Sequence, residues 1–130
     1  MYYLKAKVIW QNENDLVVET NNIGYRGKKI FNENLEIEKE YKLYLITYHN
    51  DFIHQLLFFS DKKVRNLAKI LLNIKNIGIL TIIKIFKNLN IDEFLIICKE
   101  QNINSIMIKT RISEGLSKKI VQEIRNRIFN

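Results

Sequence analysis

The feature that most constrains this 130-residue chain is a change of hydrophobic period at Ser60. Before it, apolar residues recur at every second position; after it, they recur every three or four. Period two describes half-buried strands and period 3.6 describes amphipathic helices. A run of strands followed by a run of helices predicts an α+β chain, with a barrel unit over residues 1–60 and a helical unit over 61–130.

In the first half, Tyr2, Leu4, Ala6, Val8 and Trp10 alternate with Lys5 and Lys7, predicting a strand with those five residues on one face. A polar turn, Gln11–Asp15, leads to a second strand over Leu16–Thr20. A third runs from Ile23 toward Ile30-Phe31, where Gly24 and Gly27 predict bulges or tight bends. After an acidic loop, Asn32–Glu40, two more strands are predicted over Tyr41–Tyr48 and Phe52–Phe59. Five short strands with turn signals between them point to a small antiparallel barrel of the OB type, although the pattern alone does not separate barrel from sandwich.

In the second half, Ser60 or Asp61 is placed to cap a helix to about Ile74. A break at Lys75-Asn76-Ile77-Gly78 follows, then a helix to about Leu89. Asn90 with Glu93 has capping-box form and opens a helix over 91–100. Asn104 or Ser105 begins a short helix, and after Thr110-Arg111-Ile112-Ser113 a last helix carries Leu116, Ile120, Ile124 and Ile128 as a four-spaced stripe. Two helix–turn–helix units are thus predicted in tandem, about 73–89 and 105–128, each with an isoleucine (Ile77, Ile112) at mid-turn. A glycine in a four- or five-residue break between short helices has the form of a helix-hairpin-helix. Such a turn presents backbone N–H groups and the positive end of a helix dipole to phosphate. The competing reading is an ordinary connection between packed helices.

Charge is divided between the halves. Residues 1–60 hold 7 basic and 8 acidic side chains, and residues 61–130 hold 14 basic and 6 acidic. Only the helical half can carry an electrostatic footprint for nucleic acid or an anionic surface. The single cysteine, Cys98, excludes an intrachain disulfide and lies among Phe94, Leu95 and Ile97, as a buried thiol would rather than a nucleophile. The N-terminus lacks the pattern of a signal peptide, and the apolar run from Ile77 to Phe86 is too short to span a bilayer, so a cytoplasmic chain is expected. His49, Asp51 and His54 lack the further ligands of a metal site, and strand alternation places the two histidines on opposite faces. No metal or cofactor is expected. The six tyrosines are candidates either for base stacking or for barrel core.

A five-stranded barrel followed by two tandem helix-hairpin-helix units resembles the RuvA family, bacterial subunits that bind Holliday junctions for the RuvB branch-migration motor. The matches run in order along the chain. Asn22-Ile23-Gly24-Tyr25 resembles the family's Gly-Val-Gly-Tyr strand, and Gln55-Leu56-Leu57-Phe58-Phe59 its Gln-Leu-Leu-Tyr-Gly-Phe strand. Asp61-Lys62-Lys63-Val64-Arg65 stands where the family's second domain begins. Asn76-Ile77-Gly78 falls on the first hairpin's Gly-Val-Gly, and Arg111-Ile112-Ser113 on the second hairpin's Gly-Ile-Gly.

The resemblance implies a non-catalytic DNA-binding subunit, a homotetramer that grips four-way junctions in recombination and repair, with a RuvB-like ATPase as partner. It implies phosphate contacts at Lys75, Asn76, Ile77, Gly78, Ile79 and Lys84 in the first hairpin, and at Arg111, Ile112, Ser113, Lys118 and Lys119 in the second. The departures from the family are specific. Leu80 replaces a phosphate-contacting lysine, and Glu114-Gly115 replaces a Lys-Lys pair. The family's acidic pin falls on Phe52 and Ile53, leaving only the adjacent Asp51 to serve, and its third domain has no counterpart after Asn130. The alternative is a divergent oligomeric scaffold or general duplex binder that has lost junction specificity and motor activation. Base-excision glycosylases share only the hairpin and need a catalytic carboxylate in an aromatic pocket; the simple terminal helix with Glu114 and Glu123 does not offer one.

Overall fold

The computed structural model describes residues 2–129. Five strands, β1 (Tyr3–Gln11), β2 (Asp15–Thr20), β3 (Ile23–Lys29), β4 (Glu40–His49) and β5 (His54–Phe59), close into a barrel in the order β1-β2-β3-β5-β4. All pairings are antiparallel except β3 with β5. This resolves the choice between barrel and sandwich in favour of an OB-type barrel. Alternate residues fill its interior, among them Ala6, Val8, Leu16, Val18, Leu43 and Leu45. Outside, opposite charges face each other across neighbouring strands, as in the Lys28–Asp15 pair at 3.0 Å.

The bulge lies in β1, not at the glycines of β3. Val8 pairs with Val18 and Trp10 with Val17, so Ile9 is the extra residue. The bulge reverses the alternation, turning Trp10 outward to 44% exposure and leaving it under the Arg26 guanidinium, 5.8 Å away. Gln11 turns inward in its place, accepting from Leu35 N at 3.2 Å and from the buried Lys29 ammonium at 3.2 Å. β3 keeps an unbroken register with β2. Gly27 serves closure instead: a Cβ there would stand 2.5 Å from the Leu56 carbonyl oxygen and 2.8 Å from the Phe58 ring.

The helical segment comprises α1 (Lys62–Leu72), α2 (Ile79–Asn88), α3 (Ile91–Lys99), α4 (Ile103–Thr110) and α5 (Glu114–Ile124), with a π-helical turn over Arg125–Phe129. The chain divides into two compact units, Met1–Asn66 and Leu67–Asn130, so the first residues of α1 group with the barrel. There Asp61 Oδ1 accepts from Lys63 N at 2.7 Å, and Arg65 Nε donates to the Leu45 carbonyl at 2.8 Å. α3 opens with the full Asn90–Glu93 capping box. α4 begins at Ile103 rather than at Asn104 or Ser105, because Asn102 supplies the cap by accepting from Ser105 N. The stripe on the last helix ends at Ile124: the wider π turn rotates Ile128 away from the core, where it is 40% exposed. Cys98 is fully buried, and burial pushes its thiol pKa up to about 12. That rules it out as a nucleophile at neutral pH.

Candidate nucleic-acid interface

Two turns between helices share one backbone plan. In the first, Asn76 has φ 73°, Ile77 is buried, and Gly78 is the extended N-cap of α2. In the second, Arg111 has φ 61°, Ile112 is buried, and Ser113 is the extended N-cap of α5. Each turn is therefore a left-handed residue, a buried isoleucine that pins the turn to the core, and an extended cap that launches the next helix. Only the first of the three positions needs left-handed backbone. Gly78, at φ −123°, and Ser113, at φ −61°, do not. Replacing the second glycine of a Gly-x-Gly turn thus costs no backbone strain, whereas Arg111 carries the left-handed cost with a full side chain.

The two caps differ in what they leave open. Gly78 has no side chain to accept from α2, and no cap hydrogen bond covers the first turn of that helix. Lys75 and Lys84 are exposed and make no ion pair among the described residues. At the second turn, Ser113 Oγ accepts from Leu116 N at 3.3 Å, filling the place a phosphate oxygen would take. Glu114 sits in the first turn of α5 and forms an exposed i,i+4 pair with Lys118 at 3.2 Å, placing a carboxylate beside that lysine. Lys119 is half-buried. The first turn lacks a side-chain cap, whereas the second carries its own.

Ile77 and Ile112 present backbone only, since their side chains face the core. Leu80 stands on the first turn of α2 at 75% exposure, so an apolar side chain is presented there. The second turn is held by Thr110, whose hydroxyl donates to the Ile106 carbonyl at 2.6 Å and accepts from Ile112 N at 3.3 Å. Sequence reasoning missed that anchor. A threonine ending an apolar helix is the signal that marks it.

Asp51 lies exposed in the β4–β5 turn, in the barrel unit. Both the turn and β5 start later than predicted, because β4 runs on to His49 and Asn50 Oδ1 accepts from both Phe52 N and Ile53 N at 2.8 Å, folding Phe52 and Ile53 into the turn. His49 and His54 do not lie on opposite faces. They are directly opposed partners closing the hairpin, and their rings lie tilted by 33° with centroids 6.0 Å apart. Among the described residues no group of three or more His, Cys, Asp or Glu is arranged to hold a metal ion. Among the tyrosines, Tyr2 is faced by the Arg65 guanidinium at 4.3 Å and Tyr3 by the Lys42 ammonium at 4.3 Å. Those ring faces are occupied by cations of the same unit.

No family model matches the chain. Curated relatives do, over nearly all of its length. The chain is 32% identical over 136 residues to the Holliday junction branch migration complex subunit RuvA of Ureaplasma parvum serovar 3, covering all of this chain and 69% of that protein. The chain belongs to the RuvA family. RuvA of Finegoldia magna is 28% identical over 97% of this chain and 65% of its own length, and RuvA of Halothermothrix orenii is 25% identical over 97% and 66%. The chain thus spans about two thirds of the length of the RuvA proteins it matches. Against the family's Gly-x-Gly turns, the left-handed position here is held by Asn76 and Arg111, and the extended position by Gly78 and Ser113. No helix among the described residues is long and apolar enough to cross a membrane.

Proposed function

We propose that this RuvA-family chain binds four-way DNA junctions through phosphate contacts, as the non-catalytic DNA-binding subunit of a branch-migration complex. The observation that carries the reading is the open N-terminus of α2, uncapped at Gly78 and flanked by Lys75. The two inter-helix turns are read as helix-hairpin-helix units, with Lys75, Asn76, Gly78, Ile79 and Lys84 gripping one stretch of backbone. Arg111, Ser113, Lys118 and Lys119 make a weaker second contact. Four copies, one to each duplex arm, turn modest single contacts into firm binding through effective concentration. Energy for strand exchange comes from a RuvB-like ATPase partner, and the chain works in the cytoplasm.

The contacts neutralise phosphate, so affinity falls steeply with salt and carries little sequence preference. Titrating a four-way junction from about 50 to about 200 mM salt tests this. The wild-type chain is expected to lose affinity linearly on logarithmic axes, and Lys75→Ala to lower the slope by about one. A slope unchanged by Lys75→Ala would place the grip elsewhere.

A second reading has its own observation. The Ser113 cap and the Glu114–Lys118 pair close the second turn to phosphate. A chain left with one working turn binds duplex of any form, without selecting junctions or activating a motor.

A further inference from the structure

Phe52 is the most exposed large apolar side chain among the described residues, at 94%. It projects from the β4–β5 turn, which is tightly built. Asn50 N donates to the Ile53 carbonyl at 2.8 Å, while Asn50 Oδ1 accepts from Phe52 N and Ile53 N at the same distance. Below the turn, the opposed pair His49 and His54 closes the strand ladder. The ring is therefore held out on a braced stem.

We infer that Phe52 is a nucleobase-stacking wedge: its bare ring meets bases unstacked where the DNA strands part. The inference rests on the reading above that the chain binds a DNA junction. Three observations select this ligand. The exposed aromatics Tyr2, Tyr3 and Trp10 are each faced by a cation of the barrel, whereas Phe52 makes no ring or cation contact among the described residues. A single ring on a narrow tip, with only Ile53 as a partly exposed apolar neighbour, is far smaller than a protein-docking face of about 800 Å² per partner. It does match one base step, between whose bases apolar wedges insert at the cost of unstacking, a cost smallest where the strands already part. The placement also suits the barrel, because OB folds use the connection between their fourth and fifth strands for oligonucleotides, and stacking there is indifferent to sequence. The π-face of the ring, with no polar atom of its own, can recognise a base but not a phosphate.

The full chain can be tested with a labelled four-way junction and a linear duplex of equal length. Phe52→Ala is expected to weaken junction binding about tenfold, the weight of one base–aromatic stack, and to change duplex binding less than about twofold. Phe52→Trp is expected to hold junction affinity within about twofold of wild type, with the added tryptophan's emission quenched on the junction. Equal junction affinity for Phe52→Ala and wild type would overturn the inference, as would equal weakening on both DNAs or unquenched emission from Phe52→Trp at saturation. Failure of the wild-type chain itself to bind the junction would sink the underlying reading, and the wedge with it, before any variant is compared.

Discussion

At the scale of single residues, the two left-handed positions separate what composition can carry from what it cannot. Asn76, at φ 73°, is a residue type that tolerates this backbone, and its fitness for a turn was legible from its chemistry. Arg111, at φ 61°, has no such preference. Its role emerged only by laying the chain against the family's Gly-x-Gly spacing. Because a Cβ in left-handed backbone costs roughly 1–2 kcal/mol, Arg111→Gly is expected to raise unfolding stability by about 1 kcal/mol, allowing for the greater freedom glycine gives the unfolded chain. Urea denaturation measures it, and a loss of stability would mean that the Arg111 side chain holds the turn. The extended positions are freer: Ser113 replaces glycine there without strain, and does so by capping α5.

At the scale of elements, the capping box on α3 was readable because its two side chains lie three residues apart in a fixed form. The bulge at Ile9 and the π turn after Ile124 were not, since each adds one residue to a repeat without a sequence mark. The consequence is concrete, with Trp10 outside and Gln11 inside beside Lys29. Burial lowers the Lys29 pKa from its ordinary 10.5, and Glu33 only partly opposes it. The folded barrel therefore releases this proton at lower pH than the unfolded chain does. Stability is penalised below the folded value and rises with pH from there toward 10.5. Lys29→Met is expected to stabilise the chain at neutral pH and to abolish that alkaline rise, as thermal melts across pH would show. In the helical unit, the difference between the α2 and α5 N-termini predicts a gain rather than a loss. Glu114→Lys removes a carboxylate from the mouth of the second turn and releases Lys118 from its 3.2 Å pair. Junction binding should tighten and its salt slope steepen by about one per added phosphate contact. An unchanged slope would mean that this turn never approaches DNA.

At the scale of the whole molecule, the order of a barrel and then helices followed from one change of period near Ser60. The concentration of positive charge in the helical half followed from counting. The inequality of the two turns was legible only in part, from Glu114-Gly115 standing where the family has Lys-Lys; the Ser113 cap hydrogen bond and the Glu114–Lys118 ion pair depend on side-chain placement. That inequality bears on the central claim, junction selectivity. On the proposed reading, one grip per copy distinguishes a junction from a duplex only if several copies, and the barrel's own tip, engage the branch together. The decisive measurement is a competition at about 100 mM salt, in which a labelled four-way junction bound by the wild-type chain is displaced by unlabelled junction or by linear duplex of equal length. Junction binding of the kind proposed requires at least about tenfold more duplex than junction for half displacement. Displacement by both at concentrations within about twofold would contradict it, leaving a general duplex binder.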